Sequence, residues 1–127
     1  MTVKQSRPMV DLTPYEEGLV VAILVGEGSF TGDGKNPHVA LRMHVRHKAM
    51  FEWLVVRFPR SRLYGPYNHG GRRYYQWMIR GAALVEDLLP ILEARMDPNF
   101  DQYSFDRLQL MLTRYADVVE RLQGERP

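Results

Sequence analysis

The sequence predicts an α+β domain with elements in the order α-β-β-α-β-β-α-α, an antiparallel sheet covered by helices on one face. Three observations carry this. Apolar residues recur at helical spacing near both ends of the chain. His38–Arg46 alternates strictly between apolar and polar residues, and Gly70-Gly71 separates two β-patterned runs as a two-residue hairpin turn.

The first helix opens at Thr13 as N-cap, with Pro14 in the first turn and Glu16 as capping-box acid. It runs through apolar residues to Gly26-Glu27-Gly28. Ser29–Thr31 form a short strand and Gly32–Pro37 a turn. Along His38–Arg46, Val39, Leu41, Met43 and Val45 face one side, with His38, Arg42, His44 and Arg46 on the other. Residues 48–58 form a second helix closed by Pro59. The glycine turn then fixes a hairpin register: His69 with Arg72, Asn68 with Arg73, Tyr67 with Tyr74, Gly65 with Gln76 and Tyr64 with Trp77. This register places Tyr67, His69, Arg72, Tyr74 and Gln76 on a polar face. Tyr64, Pro66, Tyr75, Trp77 and Ile79 fall on the core face. Helices over 82–96, bent or divided by Pro90, and over 103–122 complete the order. The second presents Phe105, Leu108, Leu112, Tyr115, Val119 and Leu122 at helical spacing.

The chain of 127 residues reads as one domain, 1–127, with an N-terminal tail over 1–12. No stretch reaches the ~18 uncharged apolar residues of a membrane span. The first residues lack the apolar core of a signal peptide, so a cytoplasmic protein without membrane partners is expected. The absence of cysteine excludes disulfides, thiol catalysis and cysteine-ligated zinc. The formal charge of +2 hides a strong segregation: −2 over residues 1–37, +8 over 38–80 and −4 over 81–127. All four histidines lie in the basic third, which reads as the footprint of a polyanion. Its candidate contacts are His38, Arg42, His44, Arg46, Lys48, Tyr67, His69, Arg72, Arg73, Tyr74 and Gln76. Among these, Arg suits guanine and Gln suits adenine.

Glu27 is out of place electrostatically. A helix C-terminus carries partial negative charge, so a carboxylate there calls for a cation, and the unpaired carbonyls of the last turn point the same way. Two other readings fail on spacing. The glycines around Glu27 and Lys35 match neither phosphate-loop nor dinucleotide template, and His44-x-x-His47 has no third metal ligand at a recognisable distance. Gly18, Ala22 and Gly26 recur every four positions, a small stripe that permits close helix–helix approach.

The run Val20–Phe30, V-V-A-I-L-V-G-E-G-S-F, resembles the motif of the LAGLIDADG homing endonucleases, best read as L-A-G-F-I-D-G-E-G-S-F. Ala22 stands for a packing glycine and Val25 for the first aspartate. The element order of the whole chain is similar to that of one domain of the family. The resemblance implies a concave saddle sheet over the DNA major groove and a motif helix on the dimer axis. It further implies Glu27 as the acid that binds a catalytic Mg²⁺ (or Mn²⁺), with the Gly26 carbonyl as a backbone ligand. With one motif copy, a homodimer supplies the second acid, its interface made by Gly18, Ala22, Val25 and Gly26. Val45–Leu54 resembles the strand-to-helix junction, placing a polar side chain near the metal at His47, with Phe51 where a basic partner is usual. Leu88–Met96 resembles the segment that carries a water-ordering lysine, and Arg95 takes that place. The implied function is a homodimeric double-strand DNA endonuclease with no small-molecule cofactor. A DNA- or RNA-binding relative without cleavage, a regulator or intron-splicing helper, is the second reading.

Overall fold

The computed structural model describes residues 10–124. Helix α1, Pro14–Glu27, leads into β1, Gly28–Gly32, and β2, Pro37–His44. A 3₁₀ turn, Val45–His47, enters α2, Lys48–Arg57, followed by the hairpin of β3, Arg62–His69, and β4, Arg72–Arg80. After these come α3, Gly81–Ala83, a π-helical turn, Leu84–Leu88, and α4, Leu89–Arg95. Helices α5, Gln102–Arg114, and α6, Ala116–Gly124, end the described chain. The four strands form one antiparallel sheet in the order β1-β2-β4-β3. No helix among the described residues is long and apolar enough to cross a membrane.

One sheet face is apolar. Phe30, Val39, Leu41, Trp77 and Ile79 meet Val20 and Leu24 of α1, Phe51 and Leu54 of α2, and the 84–92 segment in a single core. Burial of this kind stabilises by about 1.5–3 kcal/mol per large side chain, and it decides which way every strand faces. The only polar atoms of Trp77 and Ser61 satisfy each other: Trp77 Nε1 donates to Ser61 Oγ at 2.8 Å, and Ser61 Oγ donates to the Phe58 carbonyl at 2.6 Å.

The opening of α1 follows its capping signals. Glu16 N donates to Thr13 Oγ1 at 3.1 Å and Thr13 N donates to Glu16 Oε1 at 2.9 Å. The same Glu16 accepts from Arg57 at the end of α2, 2.9 Å away, so one carboxylate caps one helix and ties down another. From the expected tail, Val10 and Leu12 pack against the core, while residues 1–9 lie outside the described residues.

Four expectations need correction. β2 stops at His44 rather than Arg46, because His44 Nδ1 accepts from Arg46 N at 2.9 Å and caps the 3₁₀ turn. The hairpin register holds from the turn as far as Tyr67–Tyr74 and then shifts by one, so that Tyr64 pairs with Gln76 and Leu63 with Trp77. The cause is a bulge in which Gly65 and Pro66 oppose Tyr75 alone. Proline has no N–H for the ladder, and Gly65 takes φ +104°, a value that favours glycine. Leu63 therefore joins Trp77 on the core side, while Tyr64 shares the polar face and Pro66 is exposed. The helix around Pro90 is widened rather than broken: Leu89 N–H donates to the Leu84 carbonyl five residues back, which makes room for a ring that lacks a donor. The last helix divides at Tyr115. Its hydroxyl accepts from Gly34 N at 2.9 Å, and its ring covers Gly32 so closely that a Cβ there would collide with it.

Candidate nucleic-acid interface

The second sheet face takes most of the polar residues of the alternation, with the Ala40–Met78 pair as apolar exceptions. Opposite the core residues, the register aligns Arg42 with Gln76 and His44 with Tyr74 on β2 and β4, and Tyr67 with Tyr74 on β3 and β4. Arg42 Nη2 donates to Gln76 Oε1 at 2.9 Å, and its guanidinium carbon lies 5.1 Å from the centroid of the Tyr74 ring. The Tyr67 ring follows at 5.4 Å. Arg42, Tyr74 and Tyr67 thus form a cation–aromatic row across three strands, and each member limits the freedom of the next.

At the β2 end of this row a groove of about 550 Å³ is lined by Arg42, Met43, His44, His69, Gly71, Arg72, Arg73 and Tyr74. Arg73 pairs with Asn68 and so projects from the opposite hairpin face to Tyr74, yet its charge reaches His44. The His44 pKa is held below its usual value by burial first, then by Arg46, His47 and Arg73. The neutral ring fits its hydrogen bonds, since Nδ1 accepts from both N and Nε of Arg46, the latter at 3.1 Å. Arg42, Arg46, Lys48, Arg72 and Arg73 meet no carboxylate among the described residues, and all five are exposed. Tyr67 and His69 are exposed beside them. His38 is different. Its side chain is largely covered, with Nε2 3.4 Å from Asp33 Oδ2 and no hydrogen-bond partner, so it belongs to the β1–β2 turn rather than to the open face. Asp33 holds that turn through 2.8 Å bonds from Lys35 N and Asn36 N, which lower its pKa to about 2.

Glu27 ends α1 at the edge of this face. Gly28 pairs with Leu41, so the helix delivers its last residue beside the Arg42–His44 end of β2. Its carboxylate is exposed and without a hydrogen-bond or ion-pair partner among the described residues. Of the last carbonyls of the helix, that of Leu24 accepts from Gly28 N and that of Val25 from Ser104 Oγ at 3.2 Å. Gly26 follows them in the exposed turn. No group of three or more acids and histidines able to hold a metal occurs within the described residues of one chain.

The outward face of α1 has an unusual composition. Gly18, Ala22 and Gly26 are all exposed, and a Cβ at Gly18 or Gly26 would meet nothing within 4 Å. Packing inside the chain therefore does not require glycine at either position. Tyr15, 75% exposed, begins the same face. Val25, expected on this face, is partly buried against the chain's own core.

One of the expected supporting groups, Arg95, falls elsewhere. Arg95 Nε donates to Glu17 Oε1 at 2.7 Å. Glu17 lies ten residues before Glu27, about 15 Å along the helix axis, so Arg95 stands at the other end of α1 and does not join Glu27. Phe51 is 0% exposed and packs against Tyr75 at 5.7 Å, which closes that position to any charged role. His47, half-buried, caps the entry to α2 with no side-chain bond to the helix. It remains at the same end of β2 as Glu27. Tyr64 is the polar-face residue that sequence reasoning missed, and Gly65-Pro66 inside a strand pattern was the available signal for the bulge that puts it there.

No family model matches the chain, and no curated protein does. Solved structures do. A variant of I-SmaMI superposes with a TM-score of 0.60 at 12% identity, over 96% of this chain and 48% of that one. The LAGLIDADG homing endonuclease I-GzeII, in complex with its DNA target, gives 0.59 at 11% identity, over 98% of this chain and 48% of that one. The homing endonuclease I-TnaI gives 0.51 at 17% identity, over 90% of this chain and 95% of that one. The chain thus spans about half the length of the first two and nearly all of the third. Its fold is that of the LAGLIDADG homing endonucleases.

Proposed function

We propose that this chain is a homodimeric, divalent-metal-dependent, site-specific double-strand DNA endonuclease. The observation that carries the reading is Glu27, an exposed carboxylate without a partner among the described residues, at the end of a helix whose outer face beyond Tyr15 carries Gly18, Ala22 and Gly26. A two-fold axis along that face brings two copies of the acid together. The two Glu27 carboxylates and the Gly26 carbonyls would hold Mg²⁺ or Mn²⁺, hard cations suited to such oxygen donors. Such an ion, when bound, would supply neutralisation of phosphate charge and a lowered pKa for bound water. The chain's own residues do the rest: Arg72 and Arg73 attract and orient the backbone, and His47 orders solvent near the scissile phosphate.

The second reading, a DNA- or RNA-binding protein without cleavage, is favoured by the burial of Phe51 and the capture of Arg95 by Glu17. Neither position supplies positive charge near Glu27. One experiment separates the readings. A randomised, roughly palindromic duplex library is incubated with the wild type and Mg²⁺ or Mn²⁺, and cleaved products are sequenced. The wild type is expected to sediment as a dimer and to cut a defined set. Glu27→Gln should lose more than about a hundredfold in cleavage while binding DNA as well or better. A wild type that binds duplex but cuts no sequence with either metal establishes the non-catalytic reading.

A further inference from the structure

The Arg42–Gln76 pair carries an inference that deepens the proposed DNA recognition and rests on it. Arginine has no acceptor, so the atom of Gln76 that faces Arg42 Nη2 at 2.9 Å must be the amide oxygen. That bond takes one of the two lone pairs of the oxygen and ties the amide to Arg42, whereas reading adenine requires the oxygen and an N–H to be presented together in one plane. The other N–H groups of Arg42, which is exposed, are donors only. The guanidinium is also positioned in advance by the Tyr74 ring at 5.1 Å, itself backed by Tyr67 at 5.4 Å. Rigid placement reduces the ordering cost on binding.

We infer that Arg42, held by Gln76 and Tyr74, selects guanine in the major groove through its O6 and N7 acceptors, and that Gln76, tied to Arg42 through its oxygen, does not make the paired contact with adenine while Arg42 is present. Gln76 is a positioning residue in this pair, and Arg42 is the base contact.

The test is a binding selection on randomised duplexes, repeated with Arg42→Ala, Gln76→Ala and Gln76→Glu. Arg42 is exposed, so its removal leaves the core intact, and circular dichroism confirms folding in each case. The wild type should show a guanine in each half-site, preferred on the order of tenfold or more over adenine. Arg42→Ala should abolish that preference and shift the same position toward adenine, because it frees the Gln76 oxygen. Gln76→Glu should retain guanine, and Gln76→Ala should retain it at reduced strength. Replacing that guanine by 7-deazaguanine, which lacks the N7 acceptor, should weaken the wild type and leave Arg42→Ala unaffected. Duplex binding with no position that responds to Arg42→Ala, or a wild-type preference for adenine there, overturns the inference while leaving DNA binding intact. Absence of duplex binding at low salt overturns both.

Discussion

Six of the eight arginines of the basic third fall into two populations that the sequence presents as one. Arg57 and Arg60 are held behind the sheet. Arg57 joins Glu16 at 2.9 Å and lies 4.5 Å from the Trp53 ring, and Arg60 bonds both Asp87 oxygens and Glu86 at 2.9 Å. Arg42, Arg46, Arg72 and Arg73 lie on or beside the polar face with no carboxylate among the described residues. The first group spends its charge within the protein, and the second leaves its charge for a partner. A net charge along a segment thus says how much positive charge is present, while the fold decides how much is available.

The largest expected effect follows from that division. If Arg46, Lys48, Arg72 and Arg73 neutralise phosphates in both copies of a dimer, duplex affinity should fall by about 10³-fold or more between 50 and 200 mM salt. Arg72→Ala should lower the slope of log affinity against log salt by roughly 1 for each copy. Arg57→Ala should leave the slope unchanged. The comparison breaks if Arg57→Ala weakens binding as much as Arg72→Ala does, or if affinity is indifferent to salt.

The converse effect lies in stability. The Asp87 side chain is 2% exposed against 45% for Arg60, whose pKa is raised, first by its hydrogen bonds to Asp87. Removing one member of a buried pair costs several kcal/mol; with one partner half in solvent, about 2 kcal/mol is expected for Asp87→Ala. That corresponds to a fall in melting temperature on the order of 8 °C. Arg72→Ala should change stability by less than about 0.5 kcal/mol. Thermal melts of the two variants, beside their salt titrations, would show whether stability and binding separate as the two populations do. Equal melting temperatures for Asp87→Ala and the wild type would refute the internal role.

What the sequence made legible was local. Thr13, Pro14 and Glu16 announced the start of α1, strict alternation placed Arg42 and His44 opposite Leu41 and Met43, and the glycine pair fixed the tip of the hairpin. What it hid depended on contacts between distant segments. Tyr115 sits at good helical spacing, and only the turn at Gly32–Gly34, 81 residues earlier at its hydrogen-bonded atom, explains why the helix divides there. Arg95 matched a motif position, yet its ion pair with Glu17 is set by how α4 crosses α1. Gln76 read in isolation suits adenine; its neighbour on the next strand changes the reading. At Glu27 the order is reversed. The misplaced charge at a helix end was visible in the chain, and the structure adds that nothing within the described residues relieves it.

The smallest expected effect belongs to His44, which stands where the free charges crowd one another. Its Nδ1 accepts from Arg46 N and Nε, and burial together with Arg46, His47 and Arg73 lowers its pKa from the usual 6.5. In the unfolded chain the ring takes up a proton near that ordinary value, while in the folded chain it resists. The unfolded state therefore binds more protons in the interval between the two values, and stability must rise with pH across it. The contribution is fully present above about pH 6.5 and is lost as the pH falls toward the lower folded value. Asp33, with its pKa near 2, does not titrate in this window. His44→Asn keeps an acceptor for the Arg46 amide and removes the titration. The variant should flatten the dependence of melting temperature on pH between about 7.5 and 5.5, a change of a few degrees at most. Duplex binding should move the opposite way in the wild type, strengthening on acidification as a cation is added to the groove, and should not do so in His44→Asn. Parallel pH profiles for the two proteins would mean that folding does not lower the His44 pKa, and that the crowding of positive groups at this corner is weaker than its geometry implies.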